Sequence, residues 1–267
     1  MLKKRIVFIG AGNMAEALIK GVLDAKLFRK GNITATDVKN ERLDYIKKKL
    51  KIKVETNNKP AVNKGDIIVL AVKPQNINEV LEGIKHNVKD KLVISIAAGI
   101  KTERIENTVG KAAVIRVMPN TPALVKKGMS AIARGKFAKL KDENIADTIF
   151  QAVGKVVKVK ENLMDAITAV SGSGPAYVFY MMESLIEAGK KSGLSQQVAE
   201  ILVFQTVLGA AELVLKTGKT PEELRKAVSS PGGTTLAGLA VLEKKGFKHA
   251  LISAVGSACQ RSKELSG

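Results

Sequence analysis

The sequence predicts an α/β chain: a doubly wound parallel sheet in its N-terminal part, then an all-helical C-terminal part. Three observations carry this. Short β-branched runs alternate with helical patterns over roughly the first 160 residues. Those runs are nearly continuous in apolar residues, as expected for strands covered on both faces. Beyond Leu163 the pattern changes, and no convincing strand occurs to the end.

The first strand is "RIVFIG", Arg5–Gly10, followed by a helix from about Asn13 to Ala25. "NITATD" (Asn32–Asp37) is a second strand and "ERLDYIKKKL" a second helix. "DIIVLAV" (Asp66–Val72), "KLVISIA" (Lys91–Ala97) and "AAVIRVM" (Ala112–Met118) are further strands with helical segments between them. "MSAIAR" (Met129–Arg134) and "KVVKV" (Lys155–Val159) add edge strands. Helices are then expected over Pro175–Lys191, Ser195–Lys216, Pro221–Val228, Thr234–Lys245 and Lys248–Lys263. The natural division is 1–162 and 163–267. The helix Ser195–Lys216 carries Val198, Ile201, Leu202, Val203, Phe204, Val207, Leu208, Leu213, Val214 and Leu215. A helix apolar nearly all round must be surrounded. About 100 residues of short helices can hardly enclose it, so a second chain is expected to cover it in an intertwined homodimer.

Composition narrows the function classes. The 267 residues carry 44 Lys and Arg against 25 Asp and Glu, a formal charge of +19. Such charge suits nucleic acid or small anionic ligands. The lysines are spread along the chain, however, and no aromatics interleave with them as a stacking platform needs. A solvated basic surface is therefore expected rather than nucleic-acid binding. The single cysteine, Cys259, excludes an internal disulfide and matches a reducing compartment. The apolar run near the N-terminus breaks at Gly10, too short for a signal sequence. The longest apolar stretch, Ile201–Leu215, is interrupted by Gln205, Thr206 and Glu212, so no membrane span is expected. A cytoplasmic protein follows.

"IGAGNMAEA" follows a strand and opens a helix. Gly10 allows the tight turn, Gly12 lets a diphosphate approach bare backbone, and Ala15 stands where a small residue lets helix pack on strand. The helix start attracts the diphosphate through its N–H groups and dipole. Asp37 ends the second strand about 22 residues on, where a carboxylate meets the adenosine ribose. This context makes the first part a Rossmann-type dinucleotide-binding domain. Asp37 repels a 2′-phosphate; Lys39 and Arg42 either offset that repulsion or form a solvated helix start, leaving NADH against NADPH open.

Near the other end stands "SSPGGTT", Ser229–Thr235. Gly232 and Gly233 have no side chain to block a ligand. A helix starting near Thr234 offers unpaired N–H groups and a partial positive end. By itself the stretch is either an anion site or a Pro-Gly loop capping a helix.

Four stretches together, "GAGNMAEA", "AVKPQ" (Ala71–Gln75), "RVMPNTPA" (Arg116–Ala123) and the pair "SGSGPAY" (Ser171–Tyr177) with "SSPGGTT", resemble the pyrroline-5-carboxylate reductase family in order and spacing, over essentially the whole chain. The resemblance implies a Rossmann domain followed by a helical dimerisation domain. It also implies NADPH- or NADH-dependent reduction of 1-pyrroline-5-carboxylate to L-proline, the last step of proline synthesis. Family members are commonly dimers, often assembled as a decamer. The implied substrate contacts are Glu161, Ser171, Gly172, Gly174, Pro175, Gly232, Gly233, Thr234 and Thr235, with Thr235 near the ring nitrogen as the catalytic residue. The implied cofactor contacts are Ile9, Gly10, Ala11, Gly12, Asn13, Met14, Asp37, Asn58, Ala71, Val72, Lys73, Pro74, Ala97, Ala98, Gly99, Met118, Pro119 and Asn120. No metal is required, and His86 and His249 lie outside every motif. Related β-hydroxyacid dehydrogenases use a catalytic lysine where this chain has "SGSGPAYVFYMMES", with no lysine before Lys190. The remaining rival is a non-catalytic basic paralogue that binds dinucleotide or nucleic acid.

Overall fold

The computed structural model describes residues 1–266. One eight-stranded sheet organises the first part, in the order β3-β2-β1-β4-β5-β6-β7-β8. Its central strand β1 (Ile6–Ile9) lies between β2 (Ile33–Thr36) and β4 (Ile67–Leu70), both parallel to it, with Ile6 level with Ile33 and Ile67. β5 (Leu92–Ser95) and β6 (Ala113–Met118) continue the parallel ladder. β7 (Gly128–Arg134) is antiparallel to β6, and β8 (Gly154–Lys158) is parallel to β7. The outer strand β3 (Lys53–Glu55) was not expected; three residues, two of them charged, carry no apolar signal.

Alternation along β1 explains the continuous apolar runs. Ile6 and Phe8 face one layer with Leu18 and Ile19 of α1 (Asn13–Asp24), and with Leu43 and Ile46 of α2 (Asn40–Leu50). Val7 and Ile9 face the other layer, with α3 (Asn58–Lys64), α4 (Ile77–Ile84) and α5 (Thr102–Val109). Successive side chains of a strand point to opposite faces, so a strand sandwiched between helices must be apolar at every position. All four residues of β1 are buried. α6 (Leu140–Gln151) packs Ala146, Ile149 and Phe150 into the first layer. α7 (Met164–Ile167) buries Met164 against Ala131 and Ala133 of β7.

The chain divides into two compact units: Met1–Ser173 together with the stretch from Ala258 onward, and Gly174–Ser257. The packing of Met164 on β7 explains why residues beyond Asn162 stay with the sheet.

The second unit is helical. α8 (Gly174–Lys191) and α9 (Gln196–Thr217) are neighbours, and Gly189 allows Ala199 close by: an added Cβ would lie 3.3 Å from the Ala199 Cβ. Ser195 caps α9, its hydroxyl accepting the Val198 N–H at 3.3 Å, and Gly218 ends it in the left-handed conformation. α10 (Pro221–Ala227) opens with a reciprocal Thr220–Glu223 capping box. α11 (Thr234–Lys244) and α12 (Phe247–Leu265) complete the order. Ile201, Leu208 and Leu215 of α9 are 61%, 54% and 71% exposed, and only Ala199 of that helix is buried. Among the described residues α9 alone has the length and apolarity of a membrane span.

Candidate active site

β1 sits where the sheet order reverses, with β2 on one side and β4 on the other. Ligands of open α/β sheets bind at that point, outside the carboxyl ends of the strands. A cleft of about 1230 Å³ lies there, lined by residues that include Ile9, Gly10, Gly12, Asn13, Asp37, Asn58, Ala71, Val72 and Lys73. Nine of the expected cofactor residues are thus brought together. Gly10 has φ +93°, and an added Cβ would stand 2.6 Å from the Ala71 carbonyl oxygen. Gly12 precedes α1 with no side chain capping the helix, and an added Cβ there would meet nothing within 4 Å. Bare backbone and unpaired helix N–H groups therefore face the cleft, which fits a dinucleotide diphosphate.

One end of the cleft is built around Asp37. One oxygen accepts the Ala11 N–H at 2.8 Å and the other the Lys39 N–H at 3.0 Å. Each oxygen keeps a lone pair for a ribose hydroxyl. Ala11 itself is buried, with its carbonyl accepting from Arg42 Nε at 2.5 Å, so its peptide braces the turn. Asn58 Oδ1 accepts the hydroxyl of buried Thr36 at 2.6 Å. Arg42 also pairs with Glu16, and Lys49 Nζ lies 2.8 Å from the other Glu16 oxygen. Burial alone would raise the Glu16 carboxyl; the hydrogen bonds from Lys49 and Arg42 outweigh it and hold the group below its ordinary value.

Other expected cofactor residues lie away from this cleft. Met14 is partly buried against the first apolar layer. Pro74 begins a short turn whose Gln75 and Asn76 line the cleft. Ala97 and Gly99 are buried, with Ala98 half-buried between them. A Cβ on Gly99, which has φ +74°, would lie 3.1 Å from the Leu265 carbonyl oxygen of α12. Met118, Pro119 and Asn120 end β6 and the following turn. Asn120 donates from Nδ2 to the carbonyl and hydroxyl oxygens of Ser171, at 3.2 and 3.3 Å, and accepts the Met129 N–H at 2.8 Å. A Cβ on Gly172 would stand 2.6 Å from Met118 Cε. Two stretches far apart in sequence, "RVMPN" and "SGSG", are therefore one structure. Gly174 and Pro175 open α8 directly after it.

Glu161 uses both carboxylate oxygens inside the protein. Oε1 accepts the Thr102 N–H at 2.8 Å and Oε2 the Thr102 hydroxyl at 2.6 Å. Arg116 Nη1 lies 3.3 Å from Oε1, its side chain only 3% exposed. The carboxylate expected at the substrate thus ties the start of α5 to β6. Sequence reading left Thr102 and Arg116 without a role; the signal for Arg116 was a charged residue inside the apolar strand "AVIRVM". Nearby Glu106 is buried, and burial raises its carboxyl above the ordinary value, with Glu161 adding repulsion. A carboxyl raised on folding stabilises the fold below its unfolded pKa and loses that contribution as pH rises through the folded pKa. Glu106→Gln is accordingly expected to raise the thermal midpoint at pH 8 and leave it unchanged near pH 4, read from melts across that range.

The second bare stretch has the expected start. Thr234 is the first residue of α11, Gly233 precedes it with no side chain capping the helix, and Gly232 has φ +71°. Thr235 is half-buried, and its hydroxyl bonds to no described residue. His86 and His249 are exposed.

Residues 161–265 match the model of the pyrroline-5-carboxylate reductase dimerisation family, and residues 5–99 that of the coenzyme F420-dependent NADP oxidoreductases. The chain is 46% identical over 257 residues to pyrroline-5-carboxylate reductase of Synechocystis sp., covering 96% of each protein. It belongs to the pyrroline-5-carboxylate reductase family. The enzyme of that name from Methanosarcina acetivorans is 44% identical over 99% of both chains. The crystal structure of Plasmodium falciparum pyrroline carboxylate reductase with NADP bound superposes over all of both chains, with a TM-score of 0.92 at 36% identity. α9, with its exposed apolar surface, lies inside the matched dimerisation region.

Proposed function

We propose that this chain reduces 1-pyrroline-5-carboxylate to L-proline with NADPH or NADH. The observation that carries the reading is full-length identity to reductases of this name, with both bare-backbone helix entrances intact. Gly10, Gly12 and Asn13, which line the cleft, would hold the dinucleotide diphosphate, and Asp37 its adenosine ribose. The reduced nicotinamide supplies the hydride. In the helical unit, the Gly233 and Thr234 peptides at the start of α11 would hold the substrate carboxylate; Gly174 and Pro175 at the start of α8, and Ser171 and Gly172 of the first unit, are the ring contacts that the family resemblance implies. The Thr235 hydroxyl hydrogen-bonds the ring nitrogen, orienting the carbon–nitrogen double bond. That nitrogen gains one proton, from Thr235 or solution, as its carbon gains hydride. Holding two reactants in line accounts for most of the acceleration. Met118, Pro119, Asn120 and the segment Ala97–Gly99 support the nicotinamide end. Glu161 braces β6 and α5 under that end through Arg116 and Thr102.

A homodimer covering α9 is part of the proposal, as are a decamer of five such dimers and a cytoplasmic location. The dimerisation match and the single cysteine support the first and last of these. Oxidation of NADPH or NADH by the pure protein with 1-pyrroline-5-carboxylate tests the activity. Proline formed in step with dinucleotide oxidation is the expected result. An inactive protein that shifts DNA would favour the non-catalytic reading. Gly12→Val is expected to weaken binding of both dinucleotides by about a hundredfold, read by calorimetry, because the side chain fills the space kept open for diphosphate.

A further inference from the structure

The adenosine end of the cleft holds more positive than negative side chains, yet its one planar cation is already turned toward other partners through the Nε and Nη2 edge of its guanidinium. Asp37, Lys39, Arg42 and Lys59 line it. A 2′-phosphate would have to be met there by a guanidinium, whose paired N–H groups match phosphate geometry. Arg42 is the only arginine in the lining. Its Nε is spent on the Ala11 carbonyl at 2.5 Å, and its Nη2 on Glu16. The guanidinium also stacks over the Tyr45 ring, 4.9 Å from its centre. Glu16 is 16% exposed and takes Lys49 on its second oxygen, so its charge stays fixed beside Arg42. Lys39 and Lys59 are exposed amines, and such charges offer only screened attraction. The remaining fixed charge facing the ribose is the Asp37 carboxylate, held by two backbone N–H groups.

We propose that Glu16 sets the choice of dinucleotide: by holding Arg42 against the Gly-rich turn it denies a 2′-phosphate its partner and makes the chain favour NADH. This rests on the dinucleotide cleft assigned above and concerns a residue that no motif of the nucleotide turn singles out. Removing the Glu16 charge releases Arg42, whose long stem then lets the guanidinium reach a phosphate on the ribose.

Titration calorimetry on the full-length protein with NAD⁺ and NADP⁺ tests it without turnover. Glu16→Gln is expected to tighten NADP⁺ binding by about tenfold, the gain of a charge-assisted pair, while NAD⁺ changes by less than about twofold. Adding Arg42→Met to Glu16→Gln should cancel that gain. A Glu16→Gln protein with an unchanged preference, or a gain that survives Arg42→Met, overturns the proposal. The wild-type chain provides a second arm if the variant fails to fold: adenosine 2′,5′-bisphosphate should bind no more tightly than AMP. Binding about tenfold tighter than AMP would overturn the proposal equally. If Gly12→Val leaves NAD⁺ binding intact, the cleft assignment fails instead, and the two failures are told apart.

Discussion

Thr235→Ala is expected to lower kcat by about 10²-fold, the loss typical of one hydrogen-bonding group at a reacting centre. Dinucleotide affinity should stay within about twofold, because the residue opens α11 rather than lining the nucleotide cleft. The fold should be untouched. Thr235 is half-buried and its hydroxyl bonds to no described residue, so deleting it strands no buried partner. A chemical role therefore shows as a kcat loss at constant melting temperature, with Thr235→Ser restoring most of the rate. Equal losses in kcat and in nicotinamide binding would refute the assignment, and steady-state rates with separate binding titrations decide it.

Gly10→Ala is expected to act through folding first. The new methyl would sit 2.6 Å from the Ala71 carbonyl oxygen and 2.8 Å from its carbon. Those atoms cannot retreat: the Ala71 N–H donates to the Ile9 carbonyl at 2.8 Å, and the Gly10 N–H to the Thr36 carbonyl at 2.8 Å, so both neighbours are fixed in the ladder. A φ of +93° adds strain for any residue with a Cβ. A cost of about 2–4 kcal/mol follows, in the range of overpacking plus backbone strain. Urea unfolding followed by circular dichroism should show it, together with lost dinucleotide binding. Gly12→Ala separates the two effects, since its φ of −64° and open surroundings tolerate a methyl.

The sheet was legible because burial on both faces writes itself as apolar runs; Ile6–Ile9 and Ile67–Leu70 are unbroken, and Leu92–Ser95 is apolar up to its final serine. β3 escaped it by being short, charged and at the edge. The nucleotide turn was legible for a different reason: only glycine satisfies the geometry at residue 10. What stayed hidden were polar side chains that bind one another across long separations. Nothing in the spacing of Thr102, Arg116 and Glu161 announces a shared network, because the pairing arises from where β6 and α5 end in space. Glu16 is a similar case: it reads as an ordinary helix residue until α2 brings Arg42 beside it. Asn120 and Ser171 are joined by the same logic, 51 positions apart.

The return of α12 to the first unit has a consequence for biosynthesis. Ser262 and Ser266 both donate to Asp165 Oδ1, at 2.7 and 3.3 Å, and the Leu265 carbonyl closes over Gly99. During translation every strand of the sheet emerges well before these residues do. The nascent sheet therefore keeps its Gly99 turn uncovered until Ser262 and Leu265 have emerged. Such distant closure is slow compared with local contacts, so α12 is expected to settle over the Gly99 turn after the strands around it have paired.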